Sequence, residues 1–224
     1  MIALDHLVIG ARTLDEGVAW CETALGITPG PGGRHAWMGT HNRLFSIATK
    51  RFPKAYVEII AVDPLAPAPS RRRWFDLDDA RVQAALKRGP QLIHWVARTP
   101  DIGAQLAALR EHGCDGGEAT PAERETPHGL LRWQISVRSD GRRLCDGALP
   151  TWIVWGDVHP TDHMPPSGVE LDELQLSGIP AGALAAMALT SGVVASASTG
   201  SPALQIALTT PRGRVVLSSP SRSK

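Results

Sequence analysis

Apolar residues in this chain follow two rhythms, short runs of strand type and longer runs in which they recur every three or four positions. Residues 2–9 (IALDHLVI) are apolar and rich in strand formers, which predicts an opening strand. Thr13 followed by Glu16 has the spacing of a capping box. Leu14, Val18, Cys21 and Leu25 then fall on one stripe, so a helix is predicted from about Leu14 to Leu25, ending at Gly26. Cys21 lies on that stripe and reads as a small core residue rather than a nucleophile. Pro29 to Gly33 is a turn by composition, and two strand-like runs follow at His35–Ala48 and Ala55–Val62. The order is β, α, β, β, β. Pro64, Pro67 and Pro69 close it, because proline denies the sheet a donor. A short helix is expected over 76–87.

The order then repeats. Residues 91–99 (QLIHWVART) read as a strand, Asp101 caps a helix that runs to about His112, and Gly113 ends it. Strands are expected near Leu130–Val137 and Thr151–Trp155, with Ser139-Asp140-Gly141 as a turn. Aligning LDHLVIGA with LIHWVART sets His6 opposite His94, 88 residues apart, which indicates an internal duplication. A third segment begins with the strand-like VELDELQLSG, continues with an Ala-rich helix and closes with a hairpin around Pro211-Arg212-Gly213. The expected class is α+β: a first βαβββ module over 1–63, a Pro-rich linker and short helix over 64–90, and a second βαβββ module over 91–157. A shortened βαββ-like extension over 158–224 packs on the same domain. Ser218–Lys224 is expected to be a frayed tail.

Composition narrows the function. The 23 basic and 22 acidic residues leave a net charge of +1, which provides no field for nucleic acid, and Arg71-Arg72-Arg73 is too short a run to change that. Cys21, Cys114 and Cys145 are odd in number and form no CxxC, so neither a disulfide framework nor a zinc knuckle is expected. The opening residues lack the pattern of a signal peptide, and no apolar run reaches about 18 residues. A cytoplasmic protein with a small-molecule partner, and without nucleic-acid or membrane partners, is the expectation.

Polar residues in apolar strands mark the candidate chemistry. By strand parity His6 shares a face with Leu4 and Val8 while Asp5 points the other way, and His94 groups with Val96 and Arg98. Glu58, inside AYVEIIAV, is a carboxylate that must be paired if buried. Two histidines and a carboxylate suit a divalent ion such as Fe(II), Mn, Zn or Ni, with positions left open for water or substrate. The same residues read equally as buried histidines bonded to backbone or carboxylate, with Glu58 paired to an arginine. His35, Trp37 and His41 share parity on a strand; His35 and His41 are candidate proton donors and Trp37 a substrate contact, or all three are exposed strand positions. Arg98 is a candidate anion binder or a salt-bridge partner of Glu58 or Asp101. Trp152 walls an apolar pocket or is core, as does Trp133. Asp162 and His163, after His159-Pro160, belong to a surface loop or a lid.

LDHLVIGARTLDEGVAWCETALG resembles the opening strand and helix of vicinal-oxygen-chelate proteins. GGRHAWMGTHNRLFSI, AYVEIIAVDP, RRRWFDLDDARVQAAL, HWVARTPDI and LPTWIVWG resemble the glyoxalase-like subgroup of that superfamily, over about residues 1–165. The resemblance implies two βαβββ units forming a half-barrel cup. It also implies metal ligands from the first and fourth strands of each module, carried here by His6, His94 and Glu58. Matching VEII to IVWG places Val154 at the fourth position, where no ligand stands. That departure speaks against a four-ligand glyoxalase centre and is compatible with a facial triad. The resemblance therefore implies a metal-dependent isomerase, lyase or dioxygenase acting on a small oxygen-rich molecule, with Glu58, His35 and His41 as catalytic candidates. A non-catalytic binding or sequestering protein on the same fold is the rival reading. A third is an interaction module whose C-terminal segment makes a homodimer.

Overall fold

The duplicated rhythm folds as a duplicated unit in the computed structural model, which describes residues 2–189, 192–197 and 201–220. In the first unit β1 (Ala3–Gly10) leads into α1 (Leu14–Trp20), whose first turn is capped by the Thr13 side chain on the Glu16 amide. The expected helix reaches Leu25 but widens to π geometry over Cys21–Leu25 and stops at Gly26, which is left-handed at φ 78°. The predicted long strand from His35 is broken. β2 (Arg34–His35) gives way to a 3-10 turn at Ala36–Met38, Gly39 turns left-handed at φ 58°, and β3 (Thr40–Ser46) begins only there. β4 (Tyr56–Val62) completes the unit.

The linker carries α2 (Ala80–Leu86), shorter than expected and capped by Asp79. The second unit comprises β5 (Gln91–Arg98), α3 (Ile102–Glu111), β6 (Glu118–Thr126), β7 (Gly129–Val137) and β8 (Thr151–Trp155). β6 has no counterpart in the sequence expectation: its residues are polar, it includes Pro121, and it lies at the sheet edge, where an alternating half-exposed strand needs few apolar positions.

One eight-stranded sheet results, in the order β2-β3-β4-β1-β5-β8-β7-β6. Its halves meet where β1 and β5 run antiparallel, and within each half the fourth strand runs parallel to the first. The pairing of His6 with Val96, Leu7 with Trp95 and Val8 with His94 places a pseudo-twofold axis at Leu7 and Trp95. This is the paired βαβββ cup. Its convex face buries Leu7, Ile9, Ile59 and Trp95 under α1, α3 and the C-terminal extension; its concave face holds Val8, Ile60, Val96, Trp133 and Ile153.

In the extension, β9 (Glu170–Ser177), α4 (Ala181–Met187), β10 (Val193–Ala195), β11 (Ala203–Thr210) and β12 (Gly213–Ser218) supply a second sheet ordered β10-β9-β11-β12. Leu174, Leu204, Ile206 and Leu208 of this sheet share one core with Trp95 and Trp152. The tail is ordered further than expected: the Ser219 amide donates to the Leu204 carbonyl at 2.7 Å, while residues 221–224 of the expected frayed tail lie outside the described residues.

The linker also enters the cup. Trp74 and Phe75 are stacked at 5.2 Å and buried, on a strap held by Arg73 to Asp78 (2.7 Å) and by Asp76 to Arg143 (2.9 Å). Phe75 and Asp76 are left-handed at φ 60° and 57°, a conformation that non-glycine residues hold only when their surroundings impose it.

Candidate functional site

The strand irregularities decide which side chains meet. Pairing of β1 with β5 skips between Leu4 and His6, so Asp5 is the extra residue of a bulge and joins His6 on the cup side instead of pointing away from it. Asp5 is fully buried. His6 Nδ1 meets its Oδ1 at 2.8 Å, while its Oδ2 lies 3.1 Å from His159 Nε2, 3.0 Å from Trp155 Nε1 and 3.4 Å from an Arg98 guanidinium nitrogen. Burial by itself raises the carboxyl, but the hydrogen bonds from His159 and His6 outweigh it and hold Asp5 well below the usual carboxylate range.

An ionised carboxylate only accepts, so His6 carries a proton on Nδ1, and its neutral form presents an unprotonated Nε2. That nitrogen faces Glu58 Oε2 at 3.8 Å. The Glu58 Oε1 accepts from Asn42 Nδ2 at 2.6 Å and lies 4.0 Å from His35 Nε2. Asn42 is fixed in turn, since its Oδ1 accepts from the Gly33 amide at 2.7 Å. A side-chain carbon at Gly32 would overlap Asn42, so the Gly32-Gly33 turn is what allows this approach. Tyr56 stacks on His6 at 4.6 Å, and its phenol is pushed well above its ordinary value by burial and by the charges of Asp5 and Glu58. His35 is pushed down to about 3 by burial and by the neighbouring Arg124, and it is neutral.

His94 is elsewhere. Its Nε2 accepts from the Thr151 amide (3.2 Å) and meets Thr151 Oγ1 (3.0 Å), Phe75 stands against its ring at 5.1 Å, and its Nδ1 has no hydrogen-bond partner among the described residues. Burial and the charge of Arg143 push it well below the usual histidine range. Trp74 and Phe75 line both the pocket of His6, Glu58, His35 and Arg124, with about 30 Å³ of free space, and the pocket of His94, Thr151 and Arg143, with about 20 Å³. The strap thus divides the cup.

The pseudo-twofold axis also relocates the fourth position. Val8 pairs with Glu58, and Val96, the counterpart of Val8, pairs with Thr151. Thr151 and not Val154 therefore stands where Glu58 stands in the first module. Each first-strand histidine faces the fourth strand of its own module, His6 a carboxylate and His94 a hydroxyl. The expected ligands His6, Glu58 and His94 do not converge, and no group of three His, Cys, Asp or Glu side chains among the described residues is arranged to hold an ion. The donor set does not fit the metal that the fold suggested.

The other expected positions divide similarly. His35 reaches the pocket, but the break at Gly39 separates it from His41, which is absent from the lining and whose Nε2 has no hydrogen-bond partner. Trp37 packs edge-on against Trp74 at 5.2 Å behind the strap. Arg98 braces Asp5 and also donates to the Pro53 carbonyl, rather than pairing with Glu58 or Asp101. Trp152 is fully buried in the convex core, facing away from the cup, whereas Trp133 does line the pocket. His159 and Asp162 form a reciprocal cap that seats His159 on Asp5, and Asp162 pairs with Lys54 at 2.8 Å, so the segment after β8 is a brace. Asp5, Asn42, Tyr56, Arg124 and His159 were not identified from the sequence. An acid beside His6 in an apolar strand was the signal available; Asn42 stands among Thr40, His41 and Arg43 in β3, where nothing singles it out.

Residues 4–190 match the model of a family described as glyoxalase-like domain. No curated protein sequence matches the chain. Among solved structures, a hypothetical protein from Staphylococcus aureus is 17% identical, with 79% of this chain and 70% of that chain covered, at a TM-score of 0.54. Methylmalonyl-CoA epimerase from Mycobacterium tuberculosis is 18% identical over 68% of this chain and 86% of that one, at a TM-score of 0.38. A Streptomyces coelicolor methylmalonyl-CoA epimerase with 2-nitronate-propionyl-CoA bound is 18% identical over 71% and 99%, at 0.43. With the family match spanning both modules of the cup, the chain belongs to the glyoxalase-like domain family of the vicinal-oxygen-chelate superfamily.

Proposed function

We propose that this glyoxalase-like protein takes a small oxygen-rich molecule into the His6–Glu58 compartment and moves a proton on a carbon next to a carbonyl, in an isomerase or lyase reaction. The observation that carries this reading is the line from Asp5 through His6 to Glu58 in a buried pocket, with Asp5 hydrogen-bonded to His6 Nδ1 at 2.8 Å and Glu58 Oε2 3.8 Å from His6 Nε2. Asp5 fixes the imidazole tautomer, leaving His6 Nε2 as a proton acceptor, and Glu58 is the group that can take the proton on or return it. Asn42 orients Glu58, and neutral Tyr56 and His35 shield the pair from water. No step runs through a metal, since the donors present do not assemble a site for one.

The test is deuterium incorporation. Glycolate, glycolaldehyde and hydroxyacetone incubated in D2O with the protein should lose C–H signal by NMR at the carbon next to the carbonyl, and His6→Ala and Glu58→Gln should each remove at least about 99% of that rate, the usual scale for a positioned base. Unchanged exchange in both variants would sink the proposal. A binding or sequestering role is favoured by a specific observation, the small free volume behind Trp74 and Phe75. It predicts saturable binding with no exchange by the wild type.

A further inference from the structure

The His6–Glu58 compartment contains a cation that makes no hydrogen bond or ion pair through its buried Nε and Nη1 among the described residues. Arg124 comes from the polar edge strand β6 and reaches back into the cup, where it lines the same pocket as His6, Glu58 and Tyr56. Both atoms are buried, and neither has a hydrogen-bond partner among the described residues. A side-chain carbon at Gly33 would overlap Nη1, so the second glycine of the Gly32-Gly33 turn is the space the guanidinium occupies. Glu58 and Tyr56 act on Arg124 only through the field, not through a bond. Buried guanidinium N–H groups are costly when unmatched, and they recur where an anion completes them.

We infer that Arg124 is the substrate-anchoring residue of this compartment and that it selects ligands bearing a small carboxylate. This rests on the proposed reading of the compartment as the ligand site and adds the substrate class. The size of the space favours a carboxylate head. About 30 Å³ of free space suits a small head group, and a carboxylate is the most compact anion that can take two guanidinium N–H donors. Carboxylate oxygens on Arg124 would set the adjoining carbon toward His6 Nε2 and Glu58, whose charge otherwise repels an anion.

The experiment titrates oxalate and glycolate, with oxamide as the neutral isostere of oxalate, into wild-type protein labelled with 15N. The Arg124 Nε–H resonance, assigned by its loss in Arg124→Lys, should shift saturably with both carboxylates and not with oxamide. Arg124→Met should weaken oxalate binding by about tenfold or more, the scale of one charge-assisted bond. No carboxylate shift at Arg124, equal binding of oxamide, or wild-type affinity in Arg124→Met overturns the inference. With the resonance assigned from the conservative Arg124→Lys, the wild-type titration gives the answer even where Arg124→Met fails to fold. His6→Ala separates the two readings: if oxalate still shifts Arg124 while deuterium exchange is the same in wild type and His6→Ala, the anion site stands and the proton-transfer reading falls.

Discussion

Replacing Asp5 with asparagine should reverse the tautomer of His6, because only one orientation of the new amide suits its surroundings. Three donors, from His159, Trp155 and Arg98, converge on Oδ2, and one, from His6, on Oδ1. The amide oxygen must therefore take the Oδ2 side. Its NH2 then faces His6 Nδ1, and the ring can avoid a clash of donors only by accepting there, which moves its proton to Nε2. Neutralising the acceptor weakens bonds worth about 1.5–3 kcal/mol each when one partner is charged, and the retained oxygen recovers part of this. A net loss of about 2–4 kcal/mol follows, or a melting temperature lower by roughly 5–15 °C for a chain of this size. Long-range 15N–1H correlation of the imidazole rings reads the tautomer directly: in the wild type the pyridine-like nitrogen of His6 should be Nε2, and in Asp5→Asn it should be Nδ1. The variant should also be inactive in the exchange assay while still holding oxalate. A variant that keeps Nδ1–H on His6 at undiminished stability would refute the pairing of Asp5 with His6.

Two further outcomes follow from buried groups. His35 and His94 have folded pKa values below the unfolded value of about 6.5, so both are buried neutral. The unfolded chain binds more protons below pH 6.5, so the stability they permit is complete above that value and is lost as pH falls through the folded values, about 3 for His35, at up to about 1.4 kcal/mol per pH unit for each histidine. Urea midpoints should thus fall measurably from pH 6.5 to pH 5, and a flat profile would contradict the neutral assignment. Phe75→Ala should join the two compartments of the cup at a cost of about 3–5 kcal/mol in chemical denaturation. Phe75→Gly should be no less stable than Phe75→Ala, reversing the usual glycine penalty, because φ at this position is 60°; a glycine variant weaker by about 1 kcal/mol would show that the strap is relaxed.

The modules were legible because periodicity reports burial, and burial is what the strands and helices of a duplicated cup share. The opening strand, the Thr13 and Asp101 caps, the parity of His94 with Val96 and the 88-residue offset all depend on regular geometry. The site was less legible because it is built from departures from that geometry. A bulge that leaves Asp5 unpaired turns it onto His6, and nothing in IALDHLVI marks where a strand will bulge. Arg124 sits on a strand with no apolar face to announce it, and its approach depends on Gly33, about ninety positions earlier. Long-range pairings of this kind carry no local signal.

The same pseudo-twofold axis explains why the cup has one polar compartment rather than a shared centre. Duplication places a histidine at equivalent points of β1 and β5, but the residues that face them differ: Glu58 beside His6, Thr151 beside His94. A carboxylate beside imidazole makes a pair that can hold and pass a proton. A hydroxyl and an amide beside imidazole only satisfy it, and His94 becomes a buried neutral ring. Trp74 and Phe75 then fill the space between the halves, which an ion bridging both would have to occupy. The loss of the second carboxylate and the apolar strap are thus matched, since aromatic burial is favourable against a neutral histidine and costly against a second charge. On this view the first module keeps the chemistry, and the second supplies the wall, with Trp133, Ile135, Ile153 and Trp155 on one side of the pocket and Arg124 reaching across it.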